Sequence, residues 1–129
     1  MRTLGITTVN STCSTVYGCY SYSVGHKNIL NACYTKAFGE RNTVSGERGL
    51  AIGDANSIDG LSAFGLGYNN NITSSGTDSW AVGSYNKINA NNVYTLGGWN
   101  NVTASGSIAL GSSNTLHGGG STTIGIGNT

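Results

Sequence analysis

The sequence predicts an all-β protein, a parallel β-solenoid of about nine coils. Three observations lead there: a glycine anchor recurring every 14 residues, four residue columns in register with it, and a composition unsuited to helix. The anchor is a glycine that follows a hydrophobic residue. It falls at Gly5, Gly25, Gly39, Gly53, Gly67, Gly83, Gly97, Gly111 and Gly125, at intervals of 20, 14, 14, 14, 16, 14, 14 and 14.

The columns fix the register. One place before the anchor stand Leu4, Val24, Phe38, Ile52, Leu66, Val82, Leu96, Leu110 and Ile124, all hydrophobic. Two places before it the residue is always small, from Thr3 and Ser23 through Ala37, Ala51, Gly65 and Ala81 to Thr95, Ala109 and Thr123. Three places after it come Asn28, Asn42, Asn56, Asn70, Asn86, Asn100, Asn114 and Asn128, with Thr8 breaking the column. Five places after it come Leu30, Val44, Ile58, Ile72, Ile88, Val102 and Leu116.

Fourteen residues are too few for a helix pair, and 21 Gly would penalise helix by about 1 kcal/mol each. Two short strands and two tight turns fit instead. The segment Ser107-Ile108-Ala109-Leu110-Gly111 alternates as a strand should. The glycine then permits a turn with positive φ, and asparagine tolerates the left-handed region better than most residues. Stacked asparagines can also hydrogen-bond from coil to coil. On this reading the one-before and five-after columns fill the interior, joined by Leu50, Phe64, Trp80, Tyr94 and Ile108. The small column then forms a flat outer side for close packing. A coil this thin buries little alone, so oligomerisation is expected to complete the core.

The whole chain, 1–129, reads as one domain with two irregularities. The first interval, 5–25, carries six surplus residues within Thr7–Tyr22, and a shorter insertion of two falls near 73–78. Insertions in solenoids become loops, often on the binding face.

Only 9% of residues are charged and the net charge is +1, with the basic residues scattered, so neither nucleic acid nor a membrane surface is an expected partner. No apolar run approaches the roughly 20 residues of a membrane helix, and the first residues lack the apolar core of a signal peptide. His26 and His117, the only candidate bases near neutral pH, lie about six coils apart, and Glu40, Glu47, Asp54, Asp59 and Asp78 show no paired pattern. No enzyme, cofactor or metal is expected. Cys19 and Cys33 share a column on adjacent coils and Cys13 lies in the irregular interval. Without a CxxC or HxxxH spacing they read as plain buried or half-buried thiols.

The unit Ser79-Trp80-Ala81-Val82-Gly83-Ser84-Tyr85-Asn86, repeated as Ser107-Ile108-Ala109-Leu110-Gly111-Ser112-Ser113-Asn114, resembles the head repeat of the trimeric autotransporter adhesins, the YadA-like head. Gly49 to Asn56 fits except at its first position. The resemblance spans about residues 21–128. It implies a left-handed roll, a homotrimer, and adhesion to a host or matrix surface protein or glycan from the bacterial cell surface. Similar rolls occur in phage and virus fibres, so a virion fibre is the alternative, and a purely structural filament module a second one. An ice-binding array is disfavoured because Thr in the small column alternates with Ala, Ser and Gly.

Candidate ligand contacts are exposed aromatics, which offer contact area at low entropic cost. Tyr17, Tyr20 and Tyr22 cluster in the irregular first interval, while Tyr68, Tyr85 and Trp99 sit in the turn after the anchor, where packing against a neighbouring chain is the competing role. Asn10, Asn71 and Asn101 begin Asn-x-Thr glycosylation patterns, which a chain this rich in Asn and Thr contains by chance.

Overall fold

The structure is a computed structural model that describes residues 8–129, with side chains from Thr12 onward. It is an all-β parallel solenoid of about eight coils. Five-residue strands, from Thr8–Thr12 to Thr122–Ile126, alternate along the chain with two-residue strands, from Thr15–Val16 to Thr115–Leu116. Each kind forms its own sheet in strict sequence order, nine strands in one and eight in the other. Every pairing is parallel, and equivalent residues stack, as in Ala37↔Ala51 and Ile72↔Ile88. The offset of 16 between Phe64 and Trp80 places the two additional residues in the turn after Ile72.

The orientation of the long strand is the reverse of the one expected. The small column points inward: Ser23, Ala37, Ala51, Ala81 and Ala109 are fully buried. The five-after column faces it from the short strands, and Leu30, Val44, Ile58, Ile72, Ile88 and Val102 are likewise fully buried. The one-before column points outward, with Leu66, Leu96 and Ile124 exposed. Volume explains the reversal. Aliphatic side chains from the short strands fill most of the gap between the sheets, leaving space for little more than a methyl group opposite. At Gly65 a Cβ would lie 2.4 Å from Cδ1 of Ile58. Strand alternation then sends the neighbouring residues outward.

The first coil also differs from the anchor reading. Ser11, and not Gly5, pairs with Gly25, so residues 8–25 keep the 14-residue register. Ser14 takes the asparagine position there, its Oγ accepting a hydrogen bond from the backbone N–H of Asn28 at 3.0 Å. Gly5 and Thr7 lie outside the described residues. The sequence spacing put an insertion here because Ser11 replaces the glycine that marks the other coils.

The anchor glycine serves close stacking as well as a positive φ. Gly53 has φ +123°, and a Cβ on it would meet the carbonyl oxygen of Gly67 at 2.0 Å. Left-handed φ values fall on the residue before each asparagine, including Lys27, Arg41, Ala55, Tyr85, Trp99 and Ser113, and not on the asparagines themselves. The asparagine side chains turn inward to form a ladder. The Nδ2 of Asn86 donates to Asn70 Oδ1 at 3.0 Å and to the Gly97 carbonyl at 2.9 Å. Its Oδ1 accepts from the backbone N–H of Asn100 at 3.2 Å and from Asn100 Nδ2 at 2.9 Å. A buried amide satisfied on both sides also satisfies the turn backbone that water cannot reach. Asn86→Ala should therefore cost about 2 kcal/mol per chain, because it orphans buried backbone groups as well as deleting bonds. Denaturant unfolding of the variant measures it; an unchanged midpoint would make the ladder incidental.

A second ladder lines the opposite corner. Ser21, Ser79 and Ser107 each accept, through Oγ, the backbone N–H of the equivalent residue one coil on, at 3.2, 3.0 and 3.1 Å. The roll is thus pinned by a continuous asparagine ladder at one corner, by interrupted serine rungs at the other and by an aliphatic file between them.

Candidate functional site

With the small column inside, the outer face of the long-strand sheet carries two large-residue columns. The three-before positions carry Tyr22, Leu50, Phe64, Trp80, Tyr94 and Ile108, interrupted by Lys36 and ended by Thr122, and Trp80 is 51% exposed. Beside them run Val24, Phe38, Ile52, Leu66, Val82, Leu96 and Leu110, of which Leu96 is 54% exposed. Rings pack along the strand stack: Tyr22 on Phe38 at 5.5 Å, Phe64 on Trp80 at 5.7 Å, and Trp80 on Tyr94 at 5.8 Å. The outer face of the short-strand sheet is polar by contrast, with Thr43, Ser57, Asn71, Lys87, Asn101 and Thr115 in file. Ile29 at the start of that file is its apolar exception. The molecule is an amphipathic slab.

The edge between the two faces, at the turn after the anchor, carries an aromatic series over three consecutive coils. Tyr68 meets Tyr85 edge-on at 5.3 Å, and Tyr85 stacks on Trp99 at 4.2 Å with an interplanar angle of 9°. The Tyr85 phenol is held above the ordinary tyrosine range, first by its hydrogen bond with Tyr68, then by partial desolvation and the nearby Tyr68 charge, against an opposing hydrogen bond from Asn69. Trp99 ends the series and is 61% exposed.

The tyrosines near the start do not share one surface. Tyr20 stacks on Tyr34 at 5.3 Å in the turn that precedes the long strand. Tyr22 belongs to the apolar face, and Tyr17 follows the short strand Thr15–Val16 and is exposed. No ring contact joins these three to one another among the described residues. Asn71 is exposed, whereas Oδ1 of Asn101 is covered and has no hydrogen-bond partner among the described residues.

Cys19 and Cys33 form a disulfide between adjacent coils, where free thiols were expected, and Cys13 is free and exposed. Parallel stacking brings equivalent positions within bonding reach, with Cα atoms 4.5 Å apart. Closing a loop of 14 residues stabilises the fold by about 3 kcal/mol where the environment permits the bond.

Charged contacts are few. Arg41 pairs with Asp54 on the next coil, Nε donating to Oδ1 at 2.9 Å and Nη2 to Oδ2. The bond to Arg41 holds the Asp54 carboxyl below its usual range, and Asp54 in turn raises the Arg41 guanidinium. A depressed carboxyl contributes stability above its unfolded value and loses it as pH falls through the folded one, so this pair acts at neutral pH and fails in acid. Both groups meet solvent, which keeps the contribution small. His117 Nδ1 lies 3.0 Å from the Thr103 hydroxyl, and no three His, Cys, Asp or Glu side chains converge as a metal set would among the described residues.

No protein-family model matches the chain, and no curated protein matches it in sequence.

Proposed function

We propose that the chain is a non-enzymatic head module that assembles as a homotrimer and binds a host or matrix surface. The observation that carries this reading is the outward apolar face of the long-strand sheet. It runs the length of the stack, roughly 40 Å at about 4.8 Å per coil. Monomeric soluble proteins rarely leave a contiguous apolar surface of that kind uncovered. A second copy of the same face is the partner best matched to it, since regular coils from identical chains share one period. Closed point-group symmetry satisfies all such faces at once, and the resemblance of the repeat to the YadA-like head supplies the number three and the left-handed roll.

In that assembly the polar short-strand faces and the aromatic edges look outward, available to a receptor. The Cys19–Cys33 bond favours an oxidising setting, and with it the bacterial cell surface over a fibre assembled in a reducing cytosol. Beads coated with the assembled protein should adhere saturably to host cells or extracellular matrix, and soluble protein should compete. Beads that adhere no better than albumin-coated controls would leave a purely structural filament as the reading.

A further inference from the structure

We infer that Trp99 presents a built stacking platform for one neutral pyranose ring, which would make the partner of the proposed head a glycan. The inference rests on the surface-binding reading and adds the ligand class. Tyr85 covers one face of the Trp99 indole at 4.2 Å, and Tyr85 is itself backed edge-on by Tyr68 at 5.3 Å. The platform is therefore fixed before any ligand arrives, which lowers the entropy lost on binding.

The other indole face is open because the column stops supplying rings. One coil on from Trp99 stands Ser113, whose backbone N–H bonds the Gly98 carbonyl at 2.9 Å, and the coil after that carries Gly127. The column therefore carries no further ring beyond Trp99, and the stack ends on an uncovered indole face.

The chemistry beside that indole face selects a sugar. A pyranose puts polarised C–H bonds on its flat face, which suit the negative face of an indole, and hydroxyls at its rim. Ser112, Ser113 and Thr115 lie on the coil beyond Trp99, and their hydroxyls make no side-chain hydrogen bond within the described residues. The coils beyond Trp99, toward which its open face looks, contain no Lys, Arg, Asp or Glu, and Lys87 lies behind the stack on the Tyr85 coil. A nucleotide or an acidic sugar would find no cation there, whereas a neutral sugar needs none.

The test uses the assembled protein with methyl β-glucopyranoside, methyl β-galactopyranoside and N-acetylglucosamine as probes. At least one should shift the Trp99 Nε1–H resonance and receive saturation transfer at its axial protons, with half-saturation in the millimolar range expected of a single ring. Trp99→Ala should raise that concentration at least about tenfold. Ser113→Tyr should do the same while the fold is kept, since Tyr85 already occupies this column at positive φ. In a Trp80→Phe background, acrylamide should quench Trp99 freely; a shielded indole would mean that a neighbouring copy covers it and would overturn the inference. So would no response to any probe, or binding unchanged by both substitutions. The adhesin reading stands or falls separately: bead attachment without sugar binding overturns only this inference. Sugar binding without attachment sustains it and overturns the adhesin reading.

Discussion

Ala81→Arg is expected to unfold the roll rather than merely disperse it. Ala81 is fully buried between the sheets, facing the file that contains Ile72 and Ile88. The gap at this level holds the Ala81 methyl and little more, and one coil away, at Gly65, even a Cβ would meet Cδ1 of Ile58 at 2.4 Å. An arginine there has neither volume nor a counter-charge, and the loss should reach at least about 4 kcal/mol, enough to abolish a marginally stable stack. Circular dichroism and denaturant titration read the result. A folded Ala81→Arg chain would place the small column outside after all.

Val82→Arg, one residue on, should behave oppositely. Val82 lies in the outward apolar column beside Leu66 and Leu96, so its replacement disturbs no interior contact. The chain should keep its β signature with unfolding changed by about 1 kcal/mol or less, as for an ordinary surface substitution, while self-association is lost. In the proposed trimer the substitution would bring three like charges together inside an apolar contact, so even a weakened assembly should not persist at micromolar concentration. Dissociation accompanied by unfolding would mean that the coil cannot stand without its neighbours, and Leu96→Asp would then separate the two effects at a more exposed position.

This pair of substitutions also marks where the sequence was readable and where it was not. The repeat was legible because every coil solves the same stacking problem with the same residues. Asn86 must bridge Asn70 and Asn100, and Gly83 must let a neighbouring carbonyl approach. Orientation was not legible from hydropathy, since Val82 and Ile88 look equally suited to a core. Side-chain volume carried the missing signal: a column restricted to Ala, Ser, Thr and Gly marks a confined site as readily as a flat exterior. The serine ladder escaped for a related reason. Its column, four before the anchor, includes Gly49, Ala63 and Val93 beside Ser79 and Ser107, so it shows no uniform chemistry.

The candidate site divides the same way. Position in the repeat put Tyr68, Tyr85 and Trp99 on one edge, and the structure adds the stack that joins them. Tyr17, Tyr20 and Tyr22 are close in sequence yet point to different surfaces, because three residues in a 14-residue coil pass through a turn. Cys19 and Cys33 were aligned by the period, but the disulfide depends on how closely parallel coils approach.

The claim on which the functional reading depends is that the outward face of the long-strand sheet is covered by copies of the same chain. Sedimentation equilibrium of the unmodified protein across the micromolar range tests it most directly. A single species of three chain masses, reduced to one chain mass in folded Val82→Arg, is the predicted result. A folded monomer of the unmodified chain at these concentrations, with Trp80 and Leu96 open to water, would contradict it.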